Sequence, residues 1–270
     1  MDTSNSPDCT PIDETSFLAE YAQKEGYTET ESGLIYRIIE EGDGEIPQID
    51  QYVFVTFKGK LVSGEQFTPT ANSDELSFFP LGDGVLPGIR EGLEMMREGA
   101  TYELVLPTEL GYNNNPPAGS PIRCGAVLIY ELTLDSFLRD VVTFLNENLD
   151  REDIEVTGSG LQYRIIEEGD SEAESPNPQS DVSVNYTGKL TNDYIFDQST
   201  EGNPAQFNVA GVIDGFSEGL QLMKPGAKYE FFLPPNLGYG NNPPTDPQTR
   251  ALVIPPNVVL VFEVELLEVL

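Results

Sequence analysis

The chain has 270 residues, 39% of them hydrophobic, with 46 acidic and 14 basic side chains and a formal net charge of −32. A surface this acidic repels phosphate backbones and anionic lipid, which sets aside nucleic acid and charged membranes as partners. Zero histidines and two cysteines leave few ligands for zinc, and no Asp-x-Asp-x-Asp-Gly loop ending in Glu is present for calcium, so neither a metal nor a cofactor is expected.

Taken in chain order, Met1 to Asp8 carries neither a basic nor an apolar leader segment, and a cytoplasmic location is expected of the sequence as it stands. The alternative is the cell envelope, with an upstream leader and Cys9 as the lipid-bearing residue. Cys9 and Cys124 are expected to be unpaired thiols, because small disulfide frameworks use more cysteines at tighter spacing. Residues 1–15 are polar and expected to be disordered. A short helix is predicted over residues 17–25, with Ser16 as its cap and Gly26 as its stop.

From Gly33 onward the chain says nearly the same thing twice. Gly33-Leu34-Ile35-Tyr36-Arg37-Ile38-Ile39-Glu40-Glu41-Gly42-Asp43 returns, with one change, from Gly160 to Asp170, an offset of 127 residues. The same offset links Glu91-Gly92-Leu93 to Glu218-Gly219-Leu220 and Leu110-Gly111-Tyr112 to Leu237-Gly238-Tyr239. That period is too long for a solenoid and suits a whole small domain, so the chain is a tandem duplication. In the first copy, Val53, Val55 and Phe57 alternate as in a strand, Ile89, Leu93 and Met96 share a helical face, and residues 102–106 are a strand closed by Pro107. A helix over 141–148 then leads into the second copy. There Val182, Val184 and Tyr186 repeat the strand, Phe216, Leu220 and Met223 repeat the helix, and residues 229–233 end at Pro234. The last strand, over 258–267, puts Leu260, Phe262, Val264 and Leu266 on one face. No apolar run approaches the ~20 residues of a membrane span.

One amphipathic helix among antiparallel strands defines an α+β class: two tandem units, each a curved antiparallel sheet folded over one short helix, joined through short linker helices. The expected divisions are 1–30 (tail and short helix), 31–137 (first unit), 138–158 (linker helix) and 159–270 (second unit).

The second unit resembles the FKBP-type peptidyl-prolyl isomerases over nearly its whole length. The motifs are Val184-Asn185-Tyr186-Thr187-Gly188, Phe196-Asp197, Phe207 with Val209, Val212-Ile213-Asp214-Gly215-Phe216, Leu237-Gly238-Tyr239-Gly240, Ile254-Pro255-Pro256-Asn257 and the strand from Leu260 to Leu267. Each alone is weak, and all in this order at domain spacing are specific. The Ser-Gly-Leu-Gln-Tyr segment before the unit resembles the linker of the macrophage-infectivity-potentiator branch.

The chemistry implied by the resemblance agrees with the residue types. Rotation about X–Pro faces a barrier of about 18–20 kcal/mol from amide conjugation and takes tens to hundreds of seconds unaided. The twisted amide has a less polar carbonyl than the planar one, so a dry aromatic pocket favours it without nucleophile, metal or proton carrier. Tyr186, Phe196, Phe207, Phe216, Tyr239 and Phe262 supply such a pocket, with Val212, Ile213 and Ile254 completing its lining. By resemblance, the Ile213 amide and the Tyr239 hydroxyl donate to substrate carbonyls, and Asp197 lies beside the twisting bond. Proline-containing peptides and proteins are the implied clients, and the macrolide inhibitors of the family the implied ligands.

The first unit keeps the skeleton but changes the site. Phe57 stands for Tyr186, Thr68 for Asp197, Ile89 for Phe216 and Tyr130 for Phe262, while Phe67, Phe79, Val85, Leu86 and Tyr112 keep the apolar lining. A shallower pocket is expected, in a weakened isomerase or a non-catalytic peptide binder. The function expected of the chain is prolyl isomerisation, mainly in the second unit. The alternative is a holdase or adaptor that binds Pro-containing segments without turnover.

Overall fold

The computed structural model describes residues 14–67 and 76–270, which leaves Cys9 and Thr68 outside the described residues. The chain forms two compact units, 1–137 and 138–270. Each is α+β, an antiparallel sheet with a short helix packed against it.

The first unit opens with α1 (Thr15–Ala22) and continues with strands β1 (Thr28–Glu29), β2 (Ile35–Glu40), β3 (Tyr52–Leu61) and β4 (Ser77–Pro80), helix α2 (Pro87–Met95), and strands β5 (Thr101–Leu106) and β6 (Leu128–Phe137). Its sheet runs in the order β1-β2-β5-β6-β3-β4. The second unit repeats this with α3 (Val141–Leu149), β7 (Glu155–Val156), β8 (Gln162–Glu167), β9 (Asp181–Lys189), β10 (Ile195–Gln198), β11 (Ala205–Asn208), α4 (Asp214–Leu222), β12 (Lys228–Leu233) and β13 (Leu260–Val269). Its order is β10-β9-β13-β12-β8-β7, and β11 also pairs with β9.

Both units bury one face of the sheet under the helix. Along β13, Leu260, Phe262, Val264 and Leu266 are 5% exposed or less, as the alternation predicts. Val261 is buried as well, because the opposite face is also covered: Phe144 and Leu145 of α3, with Ile154, pack on Phe232, Val259 and Val261. In the first unit Phe17, Leu18 and Tyr21 of α1 cover Ile35, Val105, Val127 and Ile129 in the same way. The two helices expected as linkers or packing arms thus pack on the sheets that follow them. Helix α1 starts at Glu14 with no side-chain cap, and Ser16 lies inside it. The Glu14 carboxylate instead accepts from the Val127 amide at 2.5 Å. Helix α3 carries the side-chain cap, Asp140, which accepts from the Thr143 amide at 2.9 Å.

The Ser-Gly-Leu-Gln-Tyr segment that resembles a family linker runs into β8, and β2 and β8 are hydrogen-bonded to β5 and β12. Cys124 is disulfide-bonded, which corrects the expectation of two unpaired thiols. Among the described residues no helix is long and apolar enough to cross a membrane.

The helices sit close to their sheets for a steric reason. A Cβ on Gly215 would lie 2.5 Å from Leu233 Cγ, and one on Gly88 would lie 2.5 Å from Leu106 Cγ. Any larger residue pushes the helix off the sheet. Because α4 carries the pocket floor at Phe216, this contact sets the depth of the site.

Candidate functional site

The second unit gathers its aromatic residues around Tyr186, in the middle of β9. On one side β9 pairs with β13, which brings Phe262 opposite Gly188 and Val264 opposite Tyr186. Its other edge is shared, with β10 beside residues 187–189 and β11 beside 181–184. Phe196, Asp197 and Phe207 therefore reach the same strand from two short segments. Neighbouring residues of a strand point to opposite faces, yet Phe196 and Asp197 both meet this site. The register shift between Ile195 and Asp197 resolves the conflict, since a bulge re-aims side chains locally.

Phe216, 3% exposed, forms the floor. Its ring centroid lies 5.0 Å from Phe262 and 6.0 Å from both Tyr186 and Phe207, and all three contacts are edge-to-face. Phe196 meets Phe262 edge-on at 5.6 Å. Aromatic edges carry positive charge and faces negative, so this arrangement suits the rings and holds them rigid. Gly188 is required for it: a Cβ there would lie 2.8 Å from Phe262 and 2.9 Å from Phe196. Gly188 stands in the first of the sequence motifs, yet nothing in its residue type marks it as part of the site.

The polar groups converge from the other side. The Tyr186 hydroxyl donates to Asp197 Oδ2 at 2.7 Å. Ser199 Oγ accepts from the Tyr186 amide at 3.0 Å, which ties the strand beside the carboxylate; sequence gave no signal for Ser199. Ile213 caps α4, where backbone N–H groups lack intrahelical partners, and Val212 before it is half-buried. Ile254 is 0% exposed, so it offers no surface to a substrate.

Burial pushes the Tyr186 hydroxyl well above the ordinary tyrosine range, helped by its hydrogen bond to Asp197 and that residue's charge. Burial, then the Asp197 charge, raises Tyr239 also. Both raised tyrosines keep their protons below the usual tyrosine pKa of about 10, and lose them only as the pH climbs past their raised values. With no histidine in the chain, kcat/KM for a prolyl peptide is expected to be flat from about pH 6 to 8.5. A steep bell in that range, with circular dichroism unchanged, would point to proton transfer instead.

In the first unit Phe57, Phe67 and Tyr130 still cluster: Phe57 lies 6.2 Å and Phe67 5.5 Å from the Tyr130 ring. A cavity of about 540 Å³ opens there, lined by Phe57, Phe79, Val85, Leu86, Ile89 and Tyr112 and reaching Tyr130 and Leu132. Ile89 is shorter than an aromatic residue, so the floor recedes to the sheet. The Tyr130 hydroxyl is hydrogen-bonded to Tyr112, and burial followed by its interactions with Tyr112 holds Tyr130 far above its ordinary range. Tyr112 is thereby tied to a neighbour that the second unit, with Phe262, does not have.

The model of the FKBP-type peptidyl-prolyl cis-trans isomerase family matches residues 44–135 and 172–267, most of the chain, once in each unit. The chain belongs to that family. It is 45% identical over 130 residues to the FKBP-type 22 kDa peptidyl-prolyl cis-trans isomerase of Escherichia coli K12, covering 48% of this chain and 59% of that one. It is 39% identical over 127 residues to the peptidyl-prolyl cis-trans isomerase Mip of Coxiella burnetii, covering 47% and 52%. Among solved structures it matches FkpA from Escherichia coli with a TM-score of 0.42 and 36% identity, covering 48% of this chain and 57% of the other. The chain spans about half the length of the curated relatives it matches.

Proposed function

We propose that the chain catalyses cis/trans exchange of X–Pro bonds in polypeptides, and that the second unit does so. The observation that carries this is the meeting of Asp197 with an aromatic box, Tyr186, Phe207, Phe216 and Phe262, across the β10 bulge. A prolyl ring seated on Phe216 loses water on both faces. Its preceding carbonyl then turns in a low-dielectric space between the Ile213 amide, the Tyr239 hydroxyl and Asp197. Nothing in this scheme forms a covalent bond or moves a proton, and the work is differential binding of the twisted amide. Proline-containing segments of unfolded proteins are the substrate class, and the family's macrolides would compete for the same box.

The first unit lacks the central ring and has Tyr112 tied to Tyr130; we assign it peptide holding with little turnover. Chemistry is placed in 159–270, with α3 as its cover and 31–137 as the holding body. The disulfide at Cys124 favours an oxidising compartment over the cytoplasm.

Refolding of a protein whose slow phase is limited by an X–Pro bond tests the reading. Substoichiometric full-length chain is expected to accelerate that phase. Suppressed aggregation with an unchanged slow phase would favour the holdase alternative. In the full chain with Asp197→Ala, adding Thr68→Asp together with Ile89→Phe should restore measurable peptide isomerisation by the first unit. No recovery, with both units folded, would show that the first unit is limited elsewhere.

A further inference from the structure

The duplication supplies an internal control for the first unit's cavity. Register makes Phe57 the counterpart of Tyr186, Phe79 of Phe207, Tyr130 of Phe262 and Leu132 of Val264. Three walls of the aromatic box are therefore retained. Only the ring they enclose is missing, because Ile89 stands where α4 presents Phe216. In the second unit a benzyl group of the protein's own chain fills this space with three edge-to-face contacts. In the first unit the space belongs to a cavity of about 540 Å³, within the range of about 300–1,000 Å³ typical of ligand sites.

We propose that the first unit binds an aromatic side chain of an extended peptide segment, seated on Leu132 in the position that Phe216 occupies in the second unit. This rests on the reading of that unit as a peptide-holding pocket and names what it holds. A prolyl ring is smaller than a benzyl group and leaves the receded floor without contacts, and a void so lined loses its dispersion attraction. A phenyl ring meets Phe57, Phe79 and Tyr130 as Phe216 meets their counterparts. The lining supplies one charged side chain, Asp83, which pairs with Arg90 at 4.0 Å, and the Tyr130 hydroxyl is hydrogen-bonded to Tyr112. Nothing in the cavity calls for a charged ligand, and the net charge of −32 disfavours acidic flanks. The two units would then divide the work, one gripping aromatic residues of an unfolded chain and the other turning its prolyl bonds.

NMR titration of the full chain with blocked pentapeptides, Ala-Ala-X-Ala-Ala with X as Phe, Leu, Pro or Ala, tests this. The Phe peptide is expected to bind tightest, with shifts centred on Ile89, Leu132 and Tyr130. Ile89→Phe should weaken it about tenfold or more by occupying the space, and Phe216→Ile should create a second site for it among Tyr186, Phe207 and Phe262. Equal affinities for X as Phe and X as Pro at the first unit would overturn the proposal in the wild-type chain alone, even if a variant failed to fold. So would undiminished Phe-peptide binding by a folded Ile89→Phe chain. Isomerase activity is read separately, so an inactive second unit contradicts the proposed function and leaves this result standing.

Discussion

Replacing Asp197 by Ala in the full chain is expected to lower kcat/KM for a prolyl peptide by about tenfold or more, equivalent to about 1.4 kcal/mol of transition-state stabilisation. Two features make the loss large. The carboxylate is bonded to the site through the Tyr186 hydroxyl, and the proposed reading gives the first unit little turnover to take over. Stability should hardly move. Asp197 is exposed, and substitutions at such positions usually fall within about ±0.5 kcal/mol. Tyr186→Phe removes the other end of the hydrogen bond and should reduce the rate less, since the aromatic wall remains. Unchanged kinetics with Asp197→Ala would remove the carboxylate from the mechanism.

The largest expected effect on stability is at Arg164. Its Nε lies 2.6 Å from Glu230 Oε2, and the Glu230 side chain is 8% exposed. Arg164→Met leaves that carboxylate buried without its cation, and such a loss typically costs about 3–5 kcal/mol. The lower end applies because Arg164 itself is 34% exposed. The duplication again supplies the control. Glu103, the first-unit counterpart, is bonded by the Tyr27 hydroxyl and has both Arg37 at 3.9 Å and Lys60 at 3.8 Å. Arg37→Met should therefore destabilise its unit by less than half as much. Urea unfolding of the full chain, with amide signals of each unit followed separately, makes the comparison. Equal losses in the two units would show that the extra partners of Glu103 contribute nothing.

Much of this structure is local and so is legible in the sequence. The alternation in β13 and the spacing of Phe216, Leu220 and Met223 on α4 announce their buried faces without knowledge of the partner strand. The offset of 127 residues announces the duplication. The remainder depends on register between distant segments. Adjacent Phe196 and Asp197 share one site only through the bulge opposite Gly188, and no periodicity encodes it. Ile254 stands in a family motif, yet its burial depends on the packing around it. The repeated Tyr-Arg-Ile-Ile-Glu segments follow or overlap a stretch that resembles a linker, and only their pairing with β5 and β12 places them in the sheets. Ile89 against Phe216 is legible as the loss of a ring from the floor. Whether the walls around that missing ring persist is a matter of tertiary packing.

Exchange NMR on a blocked tetrapeptide with Leu before Pro is the most direct measurement of the central claim. It reads cis and trans signals at equilibrium and needs no protease. Full-length chain at about one-hundredth of the peptide concentration is expected to bring exchange from tens or hundreds of seconds to well under a second, with Asp197→Ala returning most of that gain. Exchange that stays at the uncatalysed rate, while peptide-induced shifts at Tyr186 and Phe262 prove that the box is occupied, would contradict catalysis by the second unit and leave a binding protein.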